Sequence, residues 1–454
     1  MTGSHTEGRL FGTDGIRGRY GEGFLVPARV SALGRVIGEV VPGKDSGKRR
    51  AIVGHDGRRS GPELELALAR GLHAAGFAVT SAGLITTPGL AVLTRLSGFD
   101  VGAMISASHN PASDNGIKVF GPEGDKLPDA TEDEIERRLR AGVEPVVDGP
   151  GPELDPRLEE AYLAHLQGVF AKLRLDGLAI ALDCANGGGS RVAPRILGRL
   201  GGHGIPVACS PDGDNINQDC GSTHPAALQE AVRLHGADLG IALDGDGDRC
   251  LLVDETGNLV NGDALLVLLA RHAQKRGLLP RSLIVATVMS NRGLHRALRQ
   301  AGIGVVTVGV GDRRVVEALK AEGLALGGEQ SGHIVFGADN HFIGDGIYTA
   351  LRVLTVLRSE GGKLSELARP FVPFPQVLVN VQVAKKPNLA EIPAVADAIQ
   401  RVEATLGGEG RVLLRYSGTE PLARIMIEGP DEMRIRGQAQ ELARLVSREL
   451  NGGG

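Results

Sequence analysis

The sequence predicts an α/β protein in which a strand–helix pattern with parallel sheets recurs three times before a smaller α+β end. Three observations lead there. Short apolar runs of strand length alternate with longer stretches of helical apolar spacing. A polar or Gly-rich turn follows each apolar run. The chain has 454 residues, too many for one hydrophobic core.

Taken in order, Ala51–Val53 is a short strand leading to Gly54-His55-Asp56. Pro62–Ala75 has helical spacing, ends at Gly76, and is followed by a strand over Phe77–Ser81. Val101–Ile105 is the next strand and opens into a polar loop. Leu178–Leu182, Leu239–Leu243 and Leu283–Ala286 repeat the theme. The last piece offers strands at Val377–Val383 and Ile425–Glu428 and a helix over Glu432–Glu449. Val143–Pro156, rich in Pro, Gly and acid, reads as a linker. Further breaks fall near Asp254–Gly257 and at Pro370–Pro375. These breaks predict domains at residues 1–154, 155–255, 256–370 and 371–454. Met1–Gly8 reads as a loose polar tail and Asn451–Gly454 as an unstructured end.

Composition narrows the function classes. The formal net charge is −4, so no large basic field exists for nucleic acid. The longest aliphatic runs, such as Ala264–Ala270, are far short of the roughly 20 residues that cross a membrane. Cys184, Cys209, Cys220 and Cys250 are scattered, which argues against a disulfide framework or a zinc site and fits a reducing cytoplasm. Trp is absent and Gly is abundant, so polar side chains and backbone would grip a carbohydrate in place of aromatic stacking. A monomer or a homodimer is expected.

Four segments carry chemistry. Ser106-Ala107-Ser108-His109-Asn110-Pro111, with Lys118 beyond it, offers a hydroxyl, an imidazole and an amine. It is also a plain polar turn by composition. Asp244-Gly245-Asp246-Gly247-Asp248-Arg249 sets three carboxylates at alternate positions, which repel one another without a cation. Hard oxygen ligands at this density suit Mg²⁺ or Ca²⁺. An EF-hand reading fails because Arg249 stands at its sixth position, where glycine is needed, and because strands flank the loop. Gly327-Gly328-Glu329-Gln330-Ser331-Gly332-His333 offers a carboxylate, an amide and a hydroxyl for sugar hydroxyls. Arg415-Tyr416-Ser417-Gly418-Thr419-Glu420-Pro421, with Arg424, has the groups of a phosphate cradle without the lysine and spacing of a P-loop, and is by composition also a polar turn. Gly12-Thr13-Asp14-Gly15-Ile16-Arg17-Gly18 adds one more arginine in a loop. Together these describe a hydroxyl that can hold phosphate, a hard metal, a sugar reader and a distal phosphate cradle.

At these motifs, and from about Arg9 to the C-terminal helix, the chain resembles the α-D-phosphohexomutases. The resemblance implies three α/β domains with mixed, mostly parallel sheets plus a smaller C-terminal α+β domain around a central cleft. It implies that Ser108 is the phosphoserine, required in that form for activity, and that Asp244, Asp246 and Asp248 hold one Mg²⁺ together with Ser108. His109, Lys118 and Arg17 resemble the catalytic neighbours of the phosphoryl group. Arg249, Glu329, Ser331 and His333 resemble sugar-binding residues, and Arg415, Ser417, Gly418, Thr419 and Arg424 the distal phosphate loop. Gln330, Gly418 and the Ser106-Ala107-Ser108 form of the loop resemble the glucosamine-phosphate branch; the alternative is the phosphomannomutase/phosphoglucomutase branch. Arg314 departs from the family, where Tyr is usual. The implied reaction interconverts glucosamine 6-phosphate and glucosamine 1-phosphate through a 1,6-bisphosphate, serving amino-sugar and cell-wall precursor synthesis.

Overall fold

The computed structural model describes residues 9–451 apart from 13, 44–46, 48 and 418–420, with the main chain alone at 390. The chain forms two units, Met1–Met289 with Ile303–Arg369, and Ser290–Gly302 with Pro370–Gly454.

The first unit holds three sheets. One contains β1 (Ile16–Arg19), β2 (Arg50–His55), β3 (Ala78–Leu84), β4 (Val101–Ile105), β5 (Asp114–Phe120) and β6 (Glu153–Leu154), in the order β1-β5-β4-β2-β3-β6. The next contains β7 (Ala179–Asp183), β8 (His203–Ala208), β9 (Leu239–Leu243), β10 (Cys250–Asp254) and β11 (Leu259–Val260), in the order β11-β10-β9-β7-β8. The third contains β12 (Leu283–Thr287), β13 (Gly304–Val308), β14 (Leu326–Gly328) and β15 (Ile334–Phe336), in the order β13-β12-β14-β15. Seven of the twelve pairings are parallel, so the sheets are mixed and mostly parallel as expected. Every residue of β4, β9 and β10 is buried, which explains their unbroken apolar runs: helices or loops cover both faces. Val30, Leu33, Leu64, Leu68, Val101 and Ile117 belong to one core cluster.

One expectation needs adjustment: Glu153–Leu154, inside the stretch expected to be a linker, pairs parallel with Thr80 and Ser81 of β3. The strands expected on both sides of the acidic loop are present, and β4 with β5, β9 with β10, and β14 with β15 pair antiparallel, so each chemistry-bearing loop is the turn of a hairpin. The turn after β10 is a hairpin as well, since β11 returns against β10.

The second unit carries an antiparallel sheet of β16 (Gln376–Gln382), β17 (Arg411–Tyr416) and β18 (Leu422–Glu428), in the order β16-β18-β17. The final helix runs Glu432–Asn451, past the end expected for it; residues 1–8 and 452–454 lie outside the described residues. Its Ile435, Ala439, Leu442 and Val446 recur at helical spacing and are buried with Ile425 and Ile427 of β18. The helix Arg292–Gln300 belongs to this unit: Asn291 caps it by accepting from Gly293 N–H at 2.8 Å, and exchanges two hydrogen bonds with the backbone of Phe374.

One buried group in the first unit predicts a pH-dependent stability. Glu65 is buried, its Oε1 lacks a hydrogen-bond partner among the described residues, and His55 Nε2 stands 3.8 Å from its Oε2. Burial raises its pKa from 4.5 to about 7, against the smaller opposing effect of the Ser81 hydroxyl. Burial also lowers the pKa of His55, so that ring gives the carboxylate little positive charge near pH 7. Between these values the folded chain holds a proton that the unfolded chain has lost, so stability falls as pH rises through that window. Glu65→Gln is therefore expected to stabilise at pH 8 by on the order of 3 kcal/mol and to change little at pH 4. Urea unfolding of both proteins across this range checks it; equal gains at both pH values would contradict the burial argument.

Candidate active site

The β4–β5 hairpin places Ser108. Its backbone is left-handed, with φ 53°, a conformation that costs a non-glycine residue about 1–2 kcal/mol and persists only where neighbours enforce it. Those neighbours are buried. Ser108 N–H donates to Ser106 Oγ at 2.9 Å, and Ser106 Oγ donates to Asp56 Oδ2 at 2.6 Å. Asp56 pairs with Arg58 Nε at 2.9 Å, and both side chains are fully buried. The Arg58 guanidinium donates to the carbonyls of Ser108 and Asn110, each at 2.9 Å, and to that of Asp114 at 3.0 Å. Asn217 Nδ2 donates to the Ser108 and Asn110 carbonyls at 2.9 and 3.0 Å. The loop's main chain is thus held from beneath, which leaves the Ser108 hydroxyl to face the acidic loop.

That acidic loop is the β9–β10 turn. Gly247 has φ 73°, and a Cβ on Gly245 would stand 2.6 Å from the Ser108 carbonyl oxygen, so both positions require glycine. Two helix starts fix the loop. Thr86 caps the helix Thr87–Leu96, and the Thr87 hydroxyl donates to Asp246 Oδ2 at 2.5 Å. Asp345 caps the helix Gly346–Glu360, whose Gly346 N–H donates to the Gly247 carbonyl at 3.0 Å. Tyr162 O–H donates to Asp345 Oδ2 at 2.6 Å and holds that cap.

Ser108 Oγ donates to Asp244 Oδ2 at 2.6 Å. Asp244, Asp246 and Asp248 are all buried, and each offers an oxygen within 4.8 Å of the others. Among the described residues, Asp246 Oδ1 is buried without a hydrogen-bond partner, and Asp248 Oδ1 lies 3.7 Å from His333 and 3.9 Å from Arg249. Burial, then the charges of Asp248 and Asp246, push the Asp244 carboxyl well up. A divalent cation relieves that condition, and hard oxygen donors with unfilled lone pairs fit Mg²⁺.

Cations surround the carboxylates. Lys118 Nζ, on β5, lies 2.6 Å from Asp14, 2.8 Å from Asp246 and 3.3 Å from Asp248. Burial works against its charge, but these three carboxylates outweigh burial and hold it well above the usual lysine range. Arg17, on β1, pairs with Asp14 at 2.5 Å. His109 Nδ1 is 3.2 Å from Ser108 Oγ; burial, then Arg249 and Arg17, lower its pKa to about 4, so it is neutral near pH 7. Arg249 N–H donates to Asp244 Oδ1 at 3.1 Å.

The segment Gly327–His333, expected to read the sugar, is the β14–β15 turn. It is tied to this centre because Cys250 N–H donates to the Gly332 carbonyl at 3.0 Å. Glu329 Oε1 accepts from Gly311 N–H at 3.1 Å, and Ser331 Oγ donates to Glu329 Oε2 at 3.4 Å. His333 is buried between Asp248 and Asp312; burial opposes its charge, but Asp248 foremost raises its pKa to about 9. The first unit therefore brings Arg17, Ser108, His109, Lys118, the three aspartates, Arg249, Glu329, Ser331 and His333 into one region.

Arg415, Ser417 and Arg424 lie in the second unit, at the β17–β18 hairpin. Arg415 and Arg424 are directly opposed across the ladder. Like charges in that register repel, and an anion would relieve them. Lys386 Nζ donates to the Ser417 carbonyl at 2.8 Å and adds a cation that sequence reasoning missed. Gly418 and Thr419 lie outside the described residues. Sequence reasoning also missed Arg58, Asn217, Thr87, Asp345 and Tyr162; Arg58 follows Asp56 by two residues, but nothing local distinguishes it from a surface arginine.

Four family models tile the chain: "Phosphoglucomutase/phosphomannomutase, alpha/beta/alpha domain I" over residues 8–145, domain II over 160–257, domain III over 261–374, and the C-terminal domain over 378–445. The chain belongs to the phosphoglucomutase/phosphomannomutase family and is by class an isomerase, an intramolecular phosphotransferase. Within that family its full-length relatives include phosphoglucosamine mutases. That of Symbiobacterium thermophilum is 46% identical over 97% of this chain and 99% of its own length. That of Mycolicibacterium gilvum is 48% identical over the same shares. Among solved structures, a phosphoglucomutase/phosphomannomutase family protein from Burkholderia thailandensis superposes with a TM-score of 0.79 at 26% identity, covering 98% of each chain. Aspergillus fumigatus N-acetylphosphoglucosamine mutase, solved in complex with GlcNAc-6P and magnesium, shares the fold with a TM-score of 0.68 at 20% identity, over 96% of this chain and 95% of its own. No helix among the described residues is long and apolar enough to cross a membrane.

Proposed function

We propose that this chain interconverts glucosamine 6-phosphate and glucosamine 1-phosphate through phospho-Ser108 and a 1,6-bisphosphate. The observation that carries this reading is the Ser108 hydroxyl, 2.6 Å from Asp244 in a buried carboxylate triad, in a chain whose relatives at 46% and 48% identity are phosphoglucosamine mutases. In the first half-reaction the bond from phosphorus to Ser108 Oγ breaks and a bond to the free sugar hydroxyl forms. The sugar hydroxyl loses its proton to a nearby base, for which neutral His109 offers Nδ1, and a proton is returned to the departing Ser108 Oγ, 3.2 Å from that nitrogen. The bisphosphate turns over and returns its other phosphoryl group to Ser108. Such transfers ask mainly for alignment and charge neutralisation. Lys118 and Arg17 supply fixed positive charge beside the transferring group. Asp244, Asp246 and Asp248 would hold Mg²⁺, which when bound offsets charge on phosphoryl oxygens.

Arg249, Glu329, Ser331 and His333 are the proposed sugar readers. Arg415, Ser417, Gly418, Thr419 and Arg424 are the proposed hold on the non-reacting phosphate. The proposed domain limits are residues 1–154, 155–255, 256–370 and 371–454, with the β10–β11 hairpin straddling the second limit. The four cysteines are free, which supports a cytoplasmic setting.

Substrate choice is the test. Glu329 and Ser331, reading the 3- and 4-hydroxyls, discriminate weakly at carbon 2, so some glucose 6-phosphate turnover is expected. A preference worth one polar contact is on the order of 10- to 100-fold in kcat/KM. Measuring kcat/KM for glucosamine, glucose, mannose and N-acetylglucosamine 6-phosphates settles the choice. If glucose or mannose 6-phosphate matches glucosamine 6-phosphate, the assignment moves to the phosphomannomutase/phosphoglucomutase branch. Release of inorganic phosphate in place of 1-phosphate would make the chain a phosphatase.

A further inference from the structure

Behind the carboxylate triad lies a closed ring of alternating charge. Lys118 reaches Asp14 Oδ2 at 2.6 Å, and Asp14 Oδ1 pairs with Lys126 Nζ at 2.5 Å. Lys126 also pairs with Asp312. Asp312 Oδ2 lies 4.0 Å from His333 Nε2, and His333 Nδ1 lies 3.7 Å from Asp248 Oδ1. Asp248 Oδ2 returns to Lys118 at 3.3 Å. The ring lines one end of a cavity of about 350 Å³. Three of its members, Asp14, Lys126 and Asp312, have no place in the reaction described above.

Lys118 has three carboxylate partners, and two of them, Asp246 and Asp248, belong to the triad. A divalent cation bound there would draw on the same two carboxylates and repel the ammonium group. Asp14 stands outside the triad, so its charge is the partner that Lys118 keeps. The same Asp14 oxygen takes Arg17 at 2.5 Å. Asp14 is in turn fixed from its other oxygen by Lys126.

We propose that Asp14 is the positioning residue of the phosphoryl site: it holds Lys118 and Arg17 in place while the metal occupies Asp246 and Asp248, and Lys126, anchored on Asp312, holds Asp14. Asp312 opens the helix Asp312–Glu322, and the preceding Gly311 N–H donates to Glu329, so the anchor is tied by a hydrogen bond to the segment proposed to read the sugar.

The inference rests on the triad as the Mg²⁺ site, and its test reads the metal directly. Mg²⁺ is titrated calorimetrically into the purified full chain and its variants. Asp14→Asn is expected to weaken Mg²⁺ binding at least about tenfold, because Lys118 then competes for Asp246 and Asp248. Adding Lys118→Met to Asp14→Asn should restore affinity to within about threefold of wild type. Adding Lys126→Met should not, although it removes the same charge from the far side of Asp14. In turnover, Asp14→Asn should lower kcat about 100-fold with KM changed only a few-fold, and Asp14→Glu should recover part of the loss. If Asp14→Asn does not fold alone, a folded, Mg²⁺-binding double variant with Lys118→Met supports the same coupling. Unchanged affinity in Asp14→Asn, equal restoration by both double variants, or a Lys118→Met double variant that does not fold overturns the proposal. A wild type that binds no Mg²⁺ overturns the metal reading and this inference with it.

Discussion

Ser108→Ala is expected to abolish turnover, by at least about four orders of magnitude in kcat, while the protein stays folded. The fold should survive because the contacts that hold this residue are made by its main chain. Its N–H goes to Ser106 Oγ, and its carbonyl takes Arg58 and Asn217. The left-handed φ of 53° is as costly for alanine as for serine to within about 1 kcal/mol, so the substitution adds little strain. What is lost is the oxygen that lies 2.6 Å from Asp244 Oδ2. Peptide mass analysis of active wild type should place one phosphoryl group on Ser108. Turnover in the alanine variant, or a phosphoryl group on Ser106 instead, would sink the mechanism. Ser106 is already committed, donating to Asp56 and accepting from Ser108 N–H, and is buried away from solvent.

Asp246→Asn should reduce kcat/KM at least about 100-fold, with Asp244→Asn and Asp248→Asn comparable. The amide keeps the shape, and the bond from Thr87 can survive, but one negative charge leaves a site that needs charge to hold a divalent cation. Chelator should silence the wild type, and added Mg²⁺ should restore it. In each variant the Mg²⁺ concentration for half-maximal activity should rise. Chelator-resistant turnover, or an unchanged Mg²⁺ requirement in all three variants, would remove the triad from the mechanism. The three positions are not equivalent in their second contacts. Asp244 accepts from Ser108 and Arg249, Asp246 from Thr87 and Lys118, and Asp248 faces Lys118 and His333. Asp246→Asn therefore also tests how much of Lys118's placement the triad supplies.

Much of this architecture was legible in the residue string. Val101–Ile105 and Leu239–Leu243 were bounded as the structure has them, because each is a short apolar run buried on both faces and stopped by a polar turn. The long apolar periodicity of Glu432–Glu449 marked the last helix, which in fact runs to Asn451. Strand edges elsewhere moved by a few residues. Leu422–Ala423–Arg424 joined β18 because the antiparallel ladder to Arg415 and Tyr416 extends past the apolar core of the strand. Lys118, taken from the sequence only as an amine beyond the serine motif, lies on Asp114–Phe120, the returning strand of a hairpin. A polar first half hides strand character when the pairing partner, here β4 on one side and β1 on the other, supplies the stability.

By itself the sequence determined the kinds of chemical group and their order: one serine ahead of a His-Asn-Pro turn, three alternate aspartates, a Glu-Gln-Ser turn and an arginine hairpin. Those are local properties, since glycine spacing and carboxylate repulsion act over a few residues. Only the tertiary structure decided that the loops at Ser108, Asp244–Asp248 and Glu329 are all hairpin turns. It also decided that Arg58 lies fully buried beneath Ser108, fifty residues away in sequence, and that Asp14, Lys126 and Asp312 close a charge ring behind Lys118. The physical reason is that a buried ion pair is worth having only if its geometry is met by several partners at once. Those partners come from segments about fifty to more than a hundred residues apart, where no local pattern records them.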